Sequence, residues 1–229
     1  MGRAPIKSER LLPPSWEWLE VASAVSRLNH TLTEQFETWR ERSLLVHYRI
    51  LYLDGIHFTV RHGTQTDATI ILTALGVDLE GNREVLAFRA CAEEDKDGWS
   101  CLLQDLRNRG VAEIDLIVTD GHDGLLAAVG SLFTATPRQR CLVHKQRNVL
   151  NAVPHRERQE VAAELGGIWK QEKKEDALLN LAAFKAKYRQ RYPEAIRSLI
   201  EDEEHLLTFY AFPPVMHRYI RSTNAIESL

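Results

Sequence analysis

The sequence predicts a mixed α/β fold: a five-stranded sheet flanked by helices, with an all-helical stretch late in the chain. Three observations predict it. The apolar, β-branched and aromatic run Val46–Arg61 is followed at short spacing by two further strand-like runs, which makes an antiparallel meander. A helical period over Lys96–Arg109 then gives way to Ile114–Gly121, whose near-continuous apolar run is that of a strand buried on both faces and reached by a crossover. From Lys145 onward apolar residues recur at helical spacing.

Residues 1–14 are polar, hold Pro5, Pro13 and Pro14, and predict an extended or disordered lead-in. Two helices are expected next. Ser15 caps the first, with Trp18, Ala22 and Val25 on one face; Thr31 and Glu34 form a capping-box pattern for the second, with Phe36 and Trp39. The first strand is Val46–Arg61. Arg61–Asp67 turns the chain into a second strand, Ala68–Val77, and Asp78–Asn82 is a hairpin turn into a third, Arg83–Cys91. Trp99, Leu102, Leu103 and Leu106 define the core face of the next helix, which Gly110 ends. The fourth strand leads to Asp120, Asp123 caps a helix over Gly124–Leu132, and Arg140–His144 is predicted as a short fifth strand. Helices are expected at Lys145–Val153, Arg156–Gln171, Glu175–Arg191 and Glu194–Tyr210, punctuated by Pro193 and Pro213-Pro214.

The composition is 44% hydrophobic and 27% charged, which suits a globular chain of 229 residues. No apolar run reaches the roughly 18 residues of a membrane span, and the first ten residues hold no apolar signal region, so a cytoplasmic protein without membrane contact is expected. Cys91, Cys101 and Cys141 are too few and too scattered for a disulfide framework. The net charge is −3, yet Arg138, Arg140, Lys145, Arg147, Arg156 and Arg158 face a single acid, Glu157, within one stretch. Such a basic stripe is either a phosphate-contacting surface or a solvated helix face.

The strand order places the first and fourth strands side by side, which is the ribonuclease H-like arrangement. Asp54, in the middle of the first strand, and Asp120, at the carboxyl end of the fourth, then become neighbours. An acid inside an apolar strand is costly unless compensated, and Gly55 after it leaves room for a close approach; the alternative is that Asp54 lies at a strand end or bulge and faces water. Two carboxylates on adjacent strands suit hard divalent cations. Two such cations about 3.5–4 Å apart can activate water and stabilise the leaving oxygen of a phosphodiester. A third acid is available in Glu227, although Asn224-Ala225-Ile226-Glu227 also reads as a capping box.

Several stretches resemble one family. Tyr52-Leu53-Asp54-Gly55, Val118-Thr119-Asp120-Gly121-His122-Asp123-Gly124-Leu125, Gln139-Arg140-Cys141-Leu142-Val143-His144-Lys145-Gln146-Arg147-Asn148, and Phe212-Pro213-Pro214 followed by Arg221-Ser222-Thr223-Asn224-Ala225-Ile226-Glu227 are similar, in that order, to motifs of the Mutator-type transposases of bacterial insertion sequences. These belong to the DDE recombinases. The resemblance implies a metal-dependent DNA cleavage and strand-transfer enzyme in which Asp54, Asp120 and Glu227 bind two Mg2+ (or Mn2+). Its implied partners are DNA, as terminal inverted repeats and target, and further copies of itself. It also implies a division into a lead-in (1–43), a first part of the ribonuclease H-like core (44–155), a helical insertion (156–211) and a return carrying the last catalytic Glu (212–229).

Around the three acids, His122 follows Asp120, and Cys141-x-x-His144 is either half of a zinc site or a strand-end cysteine with a histidine that orients a carboxylate, touches phosphate or is simply structural. Arg140, Lys145 and Arg147 are candidates for DNA contact. Trp169 is a DNA-facing aromatic under the resemblance and a core residue by its neighbours Leu165 and Ile168. His57, an odd number of residues from Asp54, belongs to the opposite strand face. Family members carry an N-terminal DNA-binding region and continue past the catalytic Glu, so a truncated form is expected here. A nuclease that only hydrolyses, and an inactive chain acting through DNA or partner binding, remain alternatives.

Overall fold

A computed structural model describes residues 15–62 and 65–227, with side chains from Ser26 onward apart from those of residues 60, 62, 65–67 and 227. The predicted lead-in over residues 1–14 and the face formed by Trp18, Ala22 and Val25 lie outside that description. The chain divides into two compact units, residues 1–42 and 43–229.

The first unit holds α1, Ser15–Glu41, as one continuous helix where the sequence predicts two. The capping box at Thr31 and Glu34 does not form. No Gly or Pro interrupts residues 15–41. The threonine hydroxyls instead bond back to the preceding turn, Thr33 Oγ1 to the Asn29 carbonyl at 2.8 Å and Thr38 Oγ1 to that of Glu34 at 2.9 Å.

The second unit is built on a sheet of β1 (His47–His62), β2 (Gln65–Val77), β3 (Arg83–Cys91), β4 (Glu113–Thr119) and β5 (Arg138–Arg140). Its order is β3-β2-β1-β4-β5. β2 runs antiparallel to both neighbours, while β4 is parallel to β1 and β5 to β4. This is the predicted ribonuclease H-like arrangement. The crossover from β3 to β4 is α2 (Lys96–Asn108), capped by Asp95, whose carboxylate accepts the Gly98 N–H at 2.7 Å. Gly110, at φ +116, turns the chain out of it. α3 (Asp123–Leu132) connects β4 to β5.

Strand alternation assigns the two faces. Leu51 and Leu53 of β1 join Ile117, Trp99, Leu103 and Leu125 in one core, beneath α2 and α3. Ile50 and Tyr52 point the other way, into a core shared with Leu116, Val118 and the helices that follow β5. Those helices are α4 (Leu142–Asn151), α5 (Arg158–Ile168), α6 (Lys174–Tyr188), α7 (Pro193–Glu201), α8 (Glu203–Leu206), α9 (Pro214–Ile220) and α10 (Asn224–Glu227), with 3-10 turns at His155–Glu157 and Thr208–Ala211. The helices of residues 156–211 therefore share one hydrophobic core with the sheet.

Two local predictions are corrected. The fifth strand is Arg138–Arg140, three residues long, and Cys141 and His144 are not in it. Cys141 caps α4 and His144 lies in its first turn, because the Lys145 N–H already bonds to the Cys141 carbonyl at 2.9 Å. The single helix predicted over Glu194–Tyr210 is broken at Asp202.

That break brings Asp202 to the sheet. Its Oδ2 lies 2.9 Å from Arg140 Nε and 2.5 Å from Lys145 Nζ, and Lys145 also donates to the Ser198 carbonyl at 2.7 Å. Arg140 and Lys145 are buried, at 4% and 2% exposure. They belong to an interior ion pair, not to a basic stripe on the surface. Of the six cations in the predicted stripe, Arg147 and Arg156 are exposed. Burial raises the Asp202 carboxyl, but the two cations outweigh it and hold its pKa below the ordinary 3.8. Gln139, fully buried, completes the junction by donating to the Leu206 carbonyl at 3.1 Å and accepting the Phe209 N–H at 2.8 Å.

Because the Asp202 pKa is depressed in the folded state, its contribution to stability is complete above pH 3.8 and is lost as pH falls through the depressed value. Asp202→Ala leaves two buried cations uncompensated and is expected to cost about 3–5 kcal/mol at pH 7. Urea unfolding across a pH series should show the gap between wild type and Asp202→Asn narrowing below pH 3.8.

Candidate active site

β1 and β4 pair in parallel, with Tyr52 opposite Val118 and Leu53 opposite Thr119. Asp54 and Asp120 are the next residues on each side. Tyr52 and Val118 both face the core beneath the later helices, so alternation turns Asp54 and Asp120 toward the same side. Asp54 is 6% exposed, and Asp120 stands just past the end of β4, half-buried. Gly121, at φ +83, bends the chain away there, and a Cβ on it would lie 2.4 Å from the Arg140 guanidinium. Glycine is thus required twice, by conformation and by space. The His122 N–H donates to Asp120 Oδ1 at 3.0 Å and orients the carboxylate.

The third predicted acid is carried by α10. This helix packs against β1 and β2, and Ile226 is buried in the core that holds Tyr52 and Val118. The backbone of Glu227 therefore belongs to the same face of the sheet as the two aspartates; its side chain lies outside the description.

Cys141 and His144 hold the approach to that helix. Thr223 is fully buried; its N–H donates to Cys141 Sγ at 3.4 Å, and its hydroxyl lies 3.6 Å from the same sulfur and 3.5 Å from His144 Nδ1. Beside them the Leu142 N–H donates to the Arg221 carbonyl at 2.8 Å. The hydrogen bond with Cys141 raises the His144 pKa; burial opposes it, and the charges of Cys141, Asp54 and Asp120 add to the rise. Burial pushes the Cys141 thiol up, but hydrogen bonds from His144 and from the His144 and Thr223 backbone outweigh it and leave the thiol low. The pair thus joins the N-terminus of α4 to the Arg221–Asn224 turn, with the imidazole within the field of both carboxylates.

A model of the family described as "Transposase, Mutator family" matches residues 19–229. The chain belongs to this family. It is 35% identical over 207 residues to the transposase for insertion sequence element IS905 of Lactococcus lactis, covering 90% of this chain and 52% of that protein. It is 33% identical over 208 residues to the transposase for ISRM5 of Rhizobium meliloti, covering 91% and 52%. Against the transposase for IS6120 of Mycolicibacterium smegmatis it is 34% identical over 208 residues, covering 90% and 64%. The chain spans about half the length of the first two of these relatives.

Two carboxylates on one face supply the hard oxygen donors that Mg2+ or Mn2+ takes, and a divalent cation there would offset the burial of Asp54. Among the described residues no group of three or more His, Cys, Asp or Glu side chains is arranged to hold a metal. The zinc alternative for Cys141 and His144 finds no second pair of ligands among them either. Trp169 is 5% exposed within the core, beside Leu165 and Ile168, and its carbonyl accepts Arg221 Nη1 at 2.5 Å. That position corrects the DNA-facing reading of Trp169 in favour of packing. The burial of Arg140 and Lys145 likewise removes them as surface contacts for DNA, while Arg147 keeps an exposed side chain.

Sequence pattern misses Glu94, from the loop between β3 and α2. It follows Glu93 in a polar run with no period to distinguish either acid. Its side chain is only 8% exposed and sits against Gly55.

If the Cys141–Thr223 contact holds the approach to Glu227, Thr223→Val, which keeps the shape and loses the hydroxyl, should cost about 1 kcal/mol. Hydrogen exchange over residues 221–227 should quicken. Combined with Cys141→Ala the losses should be non-additive, which urea unfolding of both single variants and the double variant measures.

Proposed function

We propose that this chain is the catalytic core of a DDE transposase, acting on the DNA ends of an insertion sequence and on target DNA. The observation that carries the proposal is the adjacency of Asp54 and Asp120 in parallel register, on the face against which the Glu227 helix packs. Membership of the Mutator transposase family supports the same reading.

Asp54, Asp120 and Glu227 would hold two Mg2+ or Mn2+, which when bound supply an activated nucleophile and charge stabilisation at the leaving oxygen. The chain's own part is to hold those carboxylates together and oriented. The His122 N–H fixes Asp120, and the rigid central strand fixes Asp54. In the first reaction a water oxygen bonds to the phosphorus at the element end and the bond to the 3′ oxygen breaks, which leaves a 3′-hydroxyl. In the second, that 3′ oxygen bonds to a target phosphorus, the target's own bond from phosphorus to its 3′ oxygen breaks, and the freed target 3′ oxygen ends as a hydroxyl with the proton the nucleophile gave up. Neither step needs an external energy source: phosphodiester hydrolysis runs downhill, and strand transfer exchanges one ester for another. Joining two ends to one target implies self-association on DNA.

The test is a strand-transfer assay on an oligonucleotide that carries the element end with a free 3′-hydroxyl, in Mg2+ and in Mn2+. Joined product is expected from wild type, with a fall of at least about 100-fold for Asp54→Asn and Asp120→Asn, the scale of removing a residue central to transition-state stabilisation. Hydrolysis without joining would overturn the transposase assignment in favour of a simple nuclease. Equal activity in Asp54→Asn would overturn the site.

A further inference from the structure

Glu94 lies on the opposite face of β1 from Asp54. Gly55 shares that face with Leu51 and Leu53, and a Cβ on Gly55 would lie 2.7 Å from Glu94 Oε2 and 3.0 Å from its Cδ. The space that Gly55 leaves open is thus filled by a carboxylate from the β3–α2 loop. The Gly55 backbone is not in the left-handed region, so an alanine there would be opposed by Glu94 and not by its own φ. The carboxylate is anchored from α2, where the Trp99 indole N–H donates to Oε1 at 2.9 Å.

The same carboxylate reaches the turn that carries Asp120. His122 Nδ1 lies 3.7 Å from Oε1, and His57 Nε2 lies 4.0 Å from Oε2. The N-termini of α2 and α3 are also in close contact, since a Cβ on Gly124 would be 2.7 Å from the Lys96 nitrogen and 2.8 Å from the Asp95 carbonyl carbon. His122 is the residue whose N–H holds Asp120 Oδ1. Glu94 therefore touches the residue after Asp54 on one side and the residue that orients Asp120 on the other. A buried carboxylate costs more than an apolar side chain of equal size. Packing alone does not account for an acid here, whereas a carboxylate anchored by Trp99 and set between β1 and the His122 turn does.

We infer that Glu94 is a positioning residue: its carboxylate, fixed by Trp99 and wedged between Gly55 and His122, sets the separation of the strand ends that carry Asp54 and Asp120. The inference rests on the proposal that those aspartates bind a divalent cation. Outer groups that orient metal-binding carboxylates change metal affinity without touching the metal.

Mn2+ titration calorimetry on the 229-residue chain tests this without relying on turnover, with thermal unfolding followed on the same samples. Glu94→Ala and Gly55→Ala should each weaken Mn2+ binding by about 10- to 100-fold, the usual effect of losing such a group. The double variant Gly55→Ala/Glu94→Ala should bind no more weakly than Glu94→Ala, because the new methyl group then meets empty space. Glu94→Gln keeps the volume and an acceptor for Trp99, and should remain within a few-fold of wild type. Should Glu94→Ala fail to fold, Gly55→Ala and Glu94→Gln carry the test. Unchanged affinity in Gly55→Ala, additive losses in the double variant, or Glu94→Gln as weak as Glu94→Ala would each overturn the inference. Asp54→Asn separates the two levels. If it binds Mn2+ as wild type does, the metal site falls and this inference with it. If it loses binding while the Glu94 and Gly55 variants do not, only the role of Glu94 falls.

Discussion

The parallel ladder between β1 and β4 is the constraint on which the rest of the structure depends. Its register, Leu53 opposite Thr119, leaves Asp54 and Asp120 as the next residues on neighbouring strands. A shift of one residue would send one carboxylate to the opposite face. The register is secured from both sides, since Leu51, Leu53 and Ile117 are fully buried beneath α2 and α3, and Tyr52, Leu116 and Val118 are equally buried beneath the later helices. Each of these side chains contributes roughly 1.5–3 kcal/mol by burial, and a slipped register would expose several together. Two acids can be held at this position because the apolar ladder behind them is so strongly specified.

A second constraint operates at the corner where β5 becomes α4. Two cations enter the interior there, and Asp202 meets both from the break between α7 and α8. Desolvation of Asp202 opposes its ionisation, and the two cations beside it outweigh that and hold its pKa low. The same corner supplies Cys141, which receives Thr223, and Leu142, whose N–H holds the Arg221 carbonyl. Charge pairing on one side and a sulfur-centred contact on the other therefore secure a single turn. That turn governs how residues 221–227 meet the sheet. The helical block before it is continuous with the sheet's own core, so it braces this junction as well as extending the molecule.

Much of this was legible in the residues themselves. Alternation and short connections marked β1, β2 and β3, the helical period marked α2, and the continuous apolar run marked β4, because each signal arises from local burial. Adjacency of Asp54 and Asp120 followed from the order of those elements and the handedness of crossovers. Where local signals misled, a long-range partner was responsible. Arg140 and Lys145 read as a surface stripe because Asp202, about 60 positions later in the chain, is invisible to a window of neighbouring residues. Thr31 and Glu34 read as a cap, yet a stretch without Gly or Pro continues as helix when nothing stops it.

The sequence by itself determined the strand order, the two central aspartates and the motifs that mark a Mutator-family transposase, since these depend on periodicity and on residue identity at short range. Only the tertiary structure decided which polar residues face inward together. Glu94 against Gly55, Thr223 on Cys141 and Asp202 between two cations are all contacts between segments far apart in the chain. Residue type states what a side chain can bond, but loop closure and packing select its partner, and that selection is made only when the whole sheet and both its covering layers are in place.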